Sequence, residues 1–173
     1  FEEGYGHFSL SFKNKHRGNF KLAMIGQHNV ENAAAVAGLC FNLGLKGEEI
    51  NKGFKTFKGI KRRQEIVGEK NGVIVIDDFA HHPTAINLTI DAVKNAYPRQ
   101  RVWAIFEPRS ATSRRKVFEE SFPTSFLKAD RIILAGLFSP DKIKEEERLD
   151  VEAVTASICS LGGVAYFIPK VDD

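Results

Sequence analysis

Asp77, Asp78, His81 and His82 set four ionisable side chains within six positions of the stretch Ile76-Asp77-Asp78-Phe79-Ala80-His81-His82-Pro83-Thr84. Carboxylates and imidazoles at that density can hold protons or ligand donors, and they exceed what a turn needs. The apolar run Val73-Ile74-Val75-Ile76 ahead of them reads as a buried strand. Pro83, followed by Ala85, Ile86, Thr89, Ala92, Val93 and Ala96, reads as an amphipathic helix with proline at its first position. A strand that turns directly into a helix brings its carboxyl end and the helix amides to one crevice. Side chains alternate along a strand, so one of the two aspartates can face the crevice while the other holds the turn. The bland alternative makes the aspartates turn caps and the histidines surface residues. A metal centre on these four would need a further His or Cys at ligand spacing, and the sequence offers none.

Three more groups bear on chemistry. Asn29 and Asn32, three apart at a helix start, point their amides to one side and, with His28, could read a purine edge; Asn29 alone is an ordinary helix cap. Arg62 and Arg63 point different ways, so at most one serves a bound phosphate, the alternative being a solvated linker. Glu107-Pro108-Arg109-Ser110-Ala111-Thr112-Ser113-Arg114-Arg115 follows the next strand and so lies at the same sheet edge as the aspartates. Its guanidinium forks suit carboxylates, and a helix start beyond it favours anions; a polar loop with a helix cap is the plainer reading. A glycine-rich phosphate cradle ending in Lys-Thr or Lys-Ser is absent, as is a serine-centred elbow.

The elements that must position these groups follow from periodicity. Alternation over residues 7–12 and 20–25 predicts a β-hairpin with a turn of about six residues, Asn14 to Asn19. Helical spacing from Val30 to Phe41 predicts a helix stopped by Gly44, and a second helix spans residues 48–57. Lys58-Gly59-Ile60 reads as a hinge. Residues 64–69 and 73–77 flank Asn71-Gly72, a strong hairpin signal. Beyond Pro83, strands at 101–106, 131–135 and 164–168 alternate with helices at 114–127 and 151–161. That repetition builds an α/β fold with a mainly parallel sheet and helices on both faces. The charged stretch 139–150 reads as a mobile loop, and Cys40 and Cys159 as buried free thiols.

At 173 residues, 43% hydrophobic and 27% charged, the composition is that of a globular protein. No apolar run approaches the ~20 residues of a membrane span. The net charge of +3 lies in residues 1–60, with 8 basic and 5 acidic side chains, and no basic block alternates with aromatics. Nucleic acid and membrane are therefore poor partners, and a reducing cytoplasm suits two unpaired cysteines. The start at Phe1 and the end at Val171-Asp172-Asp173 suggest a piece of something longer.

Gly26-Gln27-His28-Asn29-Val30-Glu31-Asn32-Ala33-Ala34-Ala35, Gly59-Ile60-Lys61-Arg62-Arg63-Gln64-Glu65 and Asp77-Asp78-Phe79-Ala80-His81-His82-Pro83-Thr84-Ala85-Ile86 resemble, in order and spacing, motifs of the Mur ligases. These are ATP-dependent amide ligases of peptidoglycan assembly. The resemblance covers nearly the whole chain and implies two parts: residues 1–57 as the end of the central ATPase domain, and 58–173 as a Rossmann-like C-terminal domain. Phe79-Ala80 and Phe106-Glu107-Pro108-Arg109-Ser110-Ala111-Thr112-Ser113 resemble the branch that joins L-alanyl-γ-D-glutamyl-meso-diaminopimelate to UDP-N-acetylmuramate in peptidoglycan recycling. The alternative branch adds L-alanine to the same sugar nucleotide, and a non-catalytic nucleotide- or peptide-binding module is the reading from another class.

The resemblance implies adenine contacts at Asn29 and Asn32, ATP phosphates at Arg63, the ribose side at Asp78, and a crevice for the incoming amine lined by His81 and His82. More loosely, it implies carboxylate contacts at Arg109, Ser110, Thr112 and Arg114. ATP and Mg2+ are the implied cofactors, with the magnesium ligands mostly in a central domain of which only the tail is present. This chain alone is therefore expected to be inactive.

Overall fold

A computed structural model describes residues 5–170, so the expectations on Phe1 and on Val171-Asp172-Asp173 lie outside the described residues. The chain divides into two compact units, one up to Phe79 and one from Ala80 onward.

In the first unit β1 (Gly6–Phe12) pairs antiparallel with β2 (Lys15–Leu22), in register from Gly6↔Leu22 to Phe12↔Lys15 with a bulge at Leu10/Ser11. The expected six-residue turn contracts to Lys13 and Asn14, both left-handed at φ 49 and 58. Two such residues match the twist of the flanking strands, so pairing continues through residues that composition alone assigns to a loop. α1 (Gln27–Asn42) and α2 (Gly47–Thr56) follow as expected. Phe20, Ala37 and Ile50 are buried with Phe8, Phe41 and Phe54 against them, and the Phe8 and Phe20 rings stack at 5.3 Å. Burying one such side chain stabilises by about 1.5–3 kcal/mol, which lets a single hairpin carry two helices.

β3 (Glu65–Lys70) and β4 (Val73–Asp77) form the expected second hairpin, with Asn71 and Gly72 at φ 53 and 77. β4 is not the buried strand its composition predicts. Val73 and Val75 are exposed, because a two-stranded sheet has no second layer over alternate residues.

The second unit is α/β, as expected. Its parallel sheet has the order β5 (Trp103–Phe106), β6 (Arg131–Ala135), β7 (Ala165–Ile168). Register brings Ala104, Ile132 and Ala165 to one level, and Phe106, Leu134 and Phe167 to the next. This face packs on Ile86 and Ile90 of α3 (Pro83–Ala96), Phe122 and Phe126 of α4 (Phe122–Phe126), and Val154 and Ile158 of α5 (Val151–Ser160). Trp103, Ile105 and Tyr166 alternate with them and remain exposed.

Three expectations change here. The helix foreseen over 114–127 is a 3-10 turn (Lys116–Phe118) followed by α4, because Pro123 can occupy only the first turn of a helix. The stretch 139–150 is packed rather than mobile: it buries Ile143 and Leu149 and forms two 3-10 turns, and Arg148 Nε donates to the Ile143 carbonyl at 3.0 Å. Cys159 is exposed and Cys40 half-buried. Among the described residues no helix is long and apolar enough to cross a membrane.

Candidate functional site

In the first unit the turn Ile60–Gln64 is clamped to the end of β4. The Arg63 amide donates to the Ile60 carbonyl at 3.1 Å and the Phe79 amide to the Arg62 carbonyl at 2.8 Å. The Gln64 amide donates to Asp78 Oδ2 at 2.9 Å, and the Arg62 amide to Glu65 Oε2 at 2.8 Å. Arg62 and Gln64 stand at φ 57 and 52. Non-glycine residues there cost on the order of 1 kcal/mol each, which these four bonds offset.

The two aspartates therefore both hold the turn. Asp77 Oδ2 accepts from Arg62 Nε at 3.2 Å, while the Arg62 guanidinium also lies 5.2 Å from the Phe79 ring centre. Arg63, between the two left-handed residues, is exposed and makes no side-chain hydrogen bond or ion pair among the described residues.

Asn29 is not the helix cap. Gly26, at φ 94, takes that position and starts α1 early. Asn29 Nδ2 donates to the Ile25 carbonyl at 2.7 Å and to Gln64 Oε1 at 3.1 Å. Asn32 follows on the same helix and is exposed. Gln64 was missed in the sequence: it meets Asn29 through its side chain and Asp78 through its backbone. Its position beside the arginine pair was the one available signal. The left-handed backbone that turns it inward cannot be read from a glutamine.

In the second unit His82 is the N-cap of α3, its Nδ1 accepting from the Thr84 amide at 3.3 Å. Its ring meets Phe118 edge-on at 4.6 Å. His81 precedes it and is half-buried.

The segment 107–115 is tied largely to the protein itself. Arg114 donates to the carbonyls of Ser110, Phe138 and Ser139 at 3.3, 2.9 and 3.2 Å. Arg115 is paired with Glu147. Arg109 pairs with Glu107 at 3.2 Å and lies 4.2 Å from the Phe138 ring centre, yet its side chain stays 57% exposed. Ser110 and Ser113 share a hydrogen bond of 2.8 Å between their Oγ atoms, and Thr112 Oγ1 lies 3.4 Å from Ser110 Oγ. Ser113 is fully buried and anchors the loop, a role its sequence position did not signal. No group of three or more His, Cys, Asp or Glu side chains among the described residues could hold a metal ion.

The family described as Mur ligase, glutamate ligase domain, matches residues 62–170. A UDP-N-acetylmuramate–L-alanine ligase from Caldanaerobacter subterraneus is 41% identical over 138 residues, 80% of this chain and 30% of that protein. One from Clostridium kluyveri is 35% identical over 161 residues, 93% of this chain and 35% of its own length. Among solved structures, the UDP-N-acetylmuramate-alanine ligase of Thermotoga maritima aligns with TM-score 0.79 and 25% identity, over 96% of this chain and 35% of that one. The murein peptide ligase of Psychrobacter arcticus aligns with TM-score 0.62 and 31% identity, over 100% of this chain and 36% of that one. The chain thus spans about a third of the length of the relatives it matches. With the family model covering residues 62–170, this chain belongs to the Mur ligase family.

Proposed function

We propose that this chain is part of an ATP-dependent ligase that extends UDP-N-acetylmuramate through an amide bond. ATP phosphorylates the sugar-nucleotide carboxylate, the amine attacks the acyl phosphate, and ADP and phosphate leave. Such a reaction depends on neutralising phosphoryl charge and orienting two substrates. The observation that carries the reading is the clamped turn: Arg62 is held by Asp77, and its neighbour Arg63 is left exposed. In this reading Arg63 reaches the ATP phosphates, Asn29 and Asn32 meet the adenine, and Asp78 lies on the ribose side. His81 and His82 line the crevice for the amine. Magnesium ligands and the phosphate loop come from parts of the protein outside this chain. Residues 1–57 are then the end of the ATPase domain and 58–173 the C-terminal domain. A nucleotide-sugar substrate places the enzyme in the cytoplasm.

L-alanine is the amine we favour. The curated relatives named above are L-alanine ligases, and the Thermotoga structure bears the same description. The arginines that could have received a peptide with several carboxylates largely bind protein groups. The second reading, L-alanyl-γ-D-glutamyl-meso-diaminopimelate as the amine, draws on the Psychrobacter murein peptide ligase, which aligns with the whole chain at 31% identity. In that reading Arg109, Ser110, Thr112 and Arg114 hold its carboxylates. Phosphate release by the full-length protein with ATP, Mg2+ and UDP-N-acetylmuramate, comparing L-alanine with the tripeptide, separates the two. Absence of phosphate release with either amine would favour a non-catalytic binding module.

A further inference from the structure

Two side-chain amides in the first unit form a chain with a fixed direction. Asn29 Nδ2 donates to the Ile25 carbonyl at 2.7 Å, and a carbonyl can only accept, so the nitrogen of Asn29 must face it. The second hydrogen of the same nitrogen goes to Gln64 Oε1 at 3.1 Å. That contact fixes Gln64 as well: turning its amide over would set two nitrogen donors against each other. Both Asn29 hydrogens are therefore engaged, and Asn29 Oδ1, which accepts no hydrogen bond among the described residues, is the polar atom left to a ligand.

Gln64 carries two costs in this position. Its backbone is left-handed at φ 52, and its Nε2 is buried without a hydrogen-bond partner. A buried unpaired donor costs about 1–3 kcal/mol, so the fold retains an amide here against local preference. A shorter or apolar side chain would avoid the orphaned donor and leave Asn29 held from one side only.

We infer that Gln64 is a positioning residue for purine specificity, which aligns Asn29 so that its Oδ1 accepts from the 6-amino group of adenine. The inference rests on the nucleotide reading above. An acceptor at that point pairs with the N6 hydrogens of adenine and opposes the O6 of a 6-oxo purine. Held from two sides, it keeps one direction; held by Ile25 alone, the amide swings about a single bond and discriminates less.

The test is kcat/KM of the full-length ligase with ATP and with ITP, which differ in this group. Wild type is expected to favour ATP by at least about tenfold. Gln64→Met keeps the length and loses the acceptor, and should reduce that ratio at least fivefold, mainly through a higher KM for ATP. Gln64→Glu keeps an acceptor for Asn29 and should retain the ratio. Where Gln64→Met does not fold, Gln64→Gly relieves the left-handed backbone and deletes the same acceptor, so it should lose the ratio too. A variant without the acceptor that folds and keeps the wild-type ratio overturns the inference, as does an enzyme active with ATP and ITP equally. An enzyme that turns over neither nucleotide overturns the ligase reading itself, and the inference with it.

Discussion

Arg62 Nε lies 3.2 Å from Asp77 Oδ2, so the first of two adjacent arginines is bound within its own unit, while Arg63 is exposed and makes no side-chain hydrogen bond or ion pair among the described residues. Both partners are about half exposed, at 55% and 41%, and an ion pair of that kind contributes under ~1 kcal/mol. Its consequence is geometric rather than energetic. It occupies the Arg62 guanidinium and leaves Arg63 as the one proposed to meet a phosphate.

Arg63→Ala in the full-length protein is therefore expected to lower ligation at least tenfold at saturating ATP, with the melting temperature unchanged, since the proposed charge-assisted bonds to phosphate would be lost and no side-chain hydrogen bond or ion pair among the described residues would be. Arg62→Ala should instead show mainly a small loss of stability. Steady-state kinetics with thermal unfolding measures both; an Arg63→Ala enzyme within twofold of wild type removes Arg63 from the site.

Asp130 should make the second unit sensitive to acid. Its carboxylate accepts from Lys94 Nζ at 2.6 Å and from the Val102 amide at 2.7 Å, which hold its pKa below the ordinary 3.8 against the opposing effect of burial. A depressed carboxylate contributes stability that is present above the unfolded-state pKa and lost as pH falls through the folded one. Asp130→Asn is expected to cost under ~1 kcal/mol at pH 7, because a third of the side chain is exposed, and the deficit should shrink below about pH 4. Denaturant titrations at neutral and acid pH give the comparison. A deficit independent of pH would assign the effect to packing.

The Ser110–Ser113 loop yields a prediction that separates anchoring from substrate contact. Ser113 Oγ is buried and accepts from the Ser110 amide at 3.0 Å. Ser113→Ala should destabilise by about 1–2 kcal/mol through that lost acceptor, and Arg114→Ala should likewise act first on stability. Arg109→Ala, at a side chain still 57% exposed, should leave stability nearly unchanged, and only in the tripeptide reading should it raise the KM for the amine substrate. Equal melting temperatures for Ser113→Ala and wild type would mean the loop is held elsewhere.

Elements whose signal is local were legible in the sequence. Asn71-Gly72 marks its hairpin because a left-handed pair suits those residues, and Pro83 starts α3 because its missing amide proton is not needed there. What failed depended on distant partners. Lys13-Asn14 gave no comparable cue, and the closure of β1 on β2 is set by Phe8 and Phe20 meeting across the strands. Ile143 and Leu149 gave a charged loop two buried anchors that its composition obscured. In the candidate site, the motif residues stood out one by one by type and spacing, whereas the Asn29–Gln64 contact joins positions 35 apart and needs a backbone angle no propensity assigns to Gln64. The arginines of 107–115 were legible as charges, but their protein partners at Phe138, Ser139 and Glu147 were not.

Phosphoryl transfer needs a phosphate loop and magnesium, and residues 1–173 hold no glycine-rich Lys-Thr or Lys-Ser cradle. The purified 173-residue chain is thus expected to form no ADP from ATP and Mg2+. Magnesium-dependent ADP formation by the isolated chain would mean that its residues alone complete an ATPase site.

The most direct measurement is phosphate release by the full-length protein, with ATP, Mg2+ and UDP-N-acetylmuramate present, on addition of L-alanine or of L-alanyl-γ-D-glutamyl-meso-diaminopimelate. The expected result is release that requires the sugar nucleotide and is at least tenfold faster, by kcat/KM, with L-alanine. Release driven by the tripeptide with L-alanine silent would contradict the substrate assignment, and no release with either amine would contradict the ligase reading.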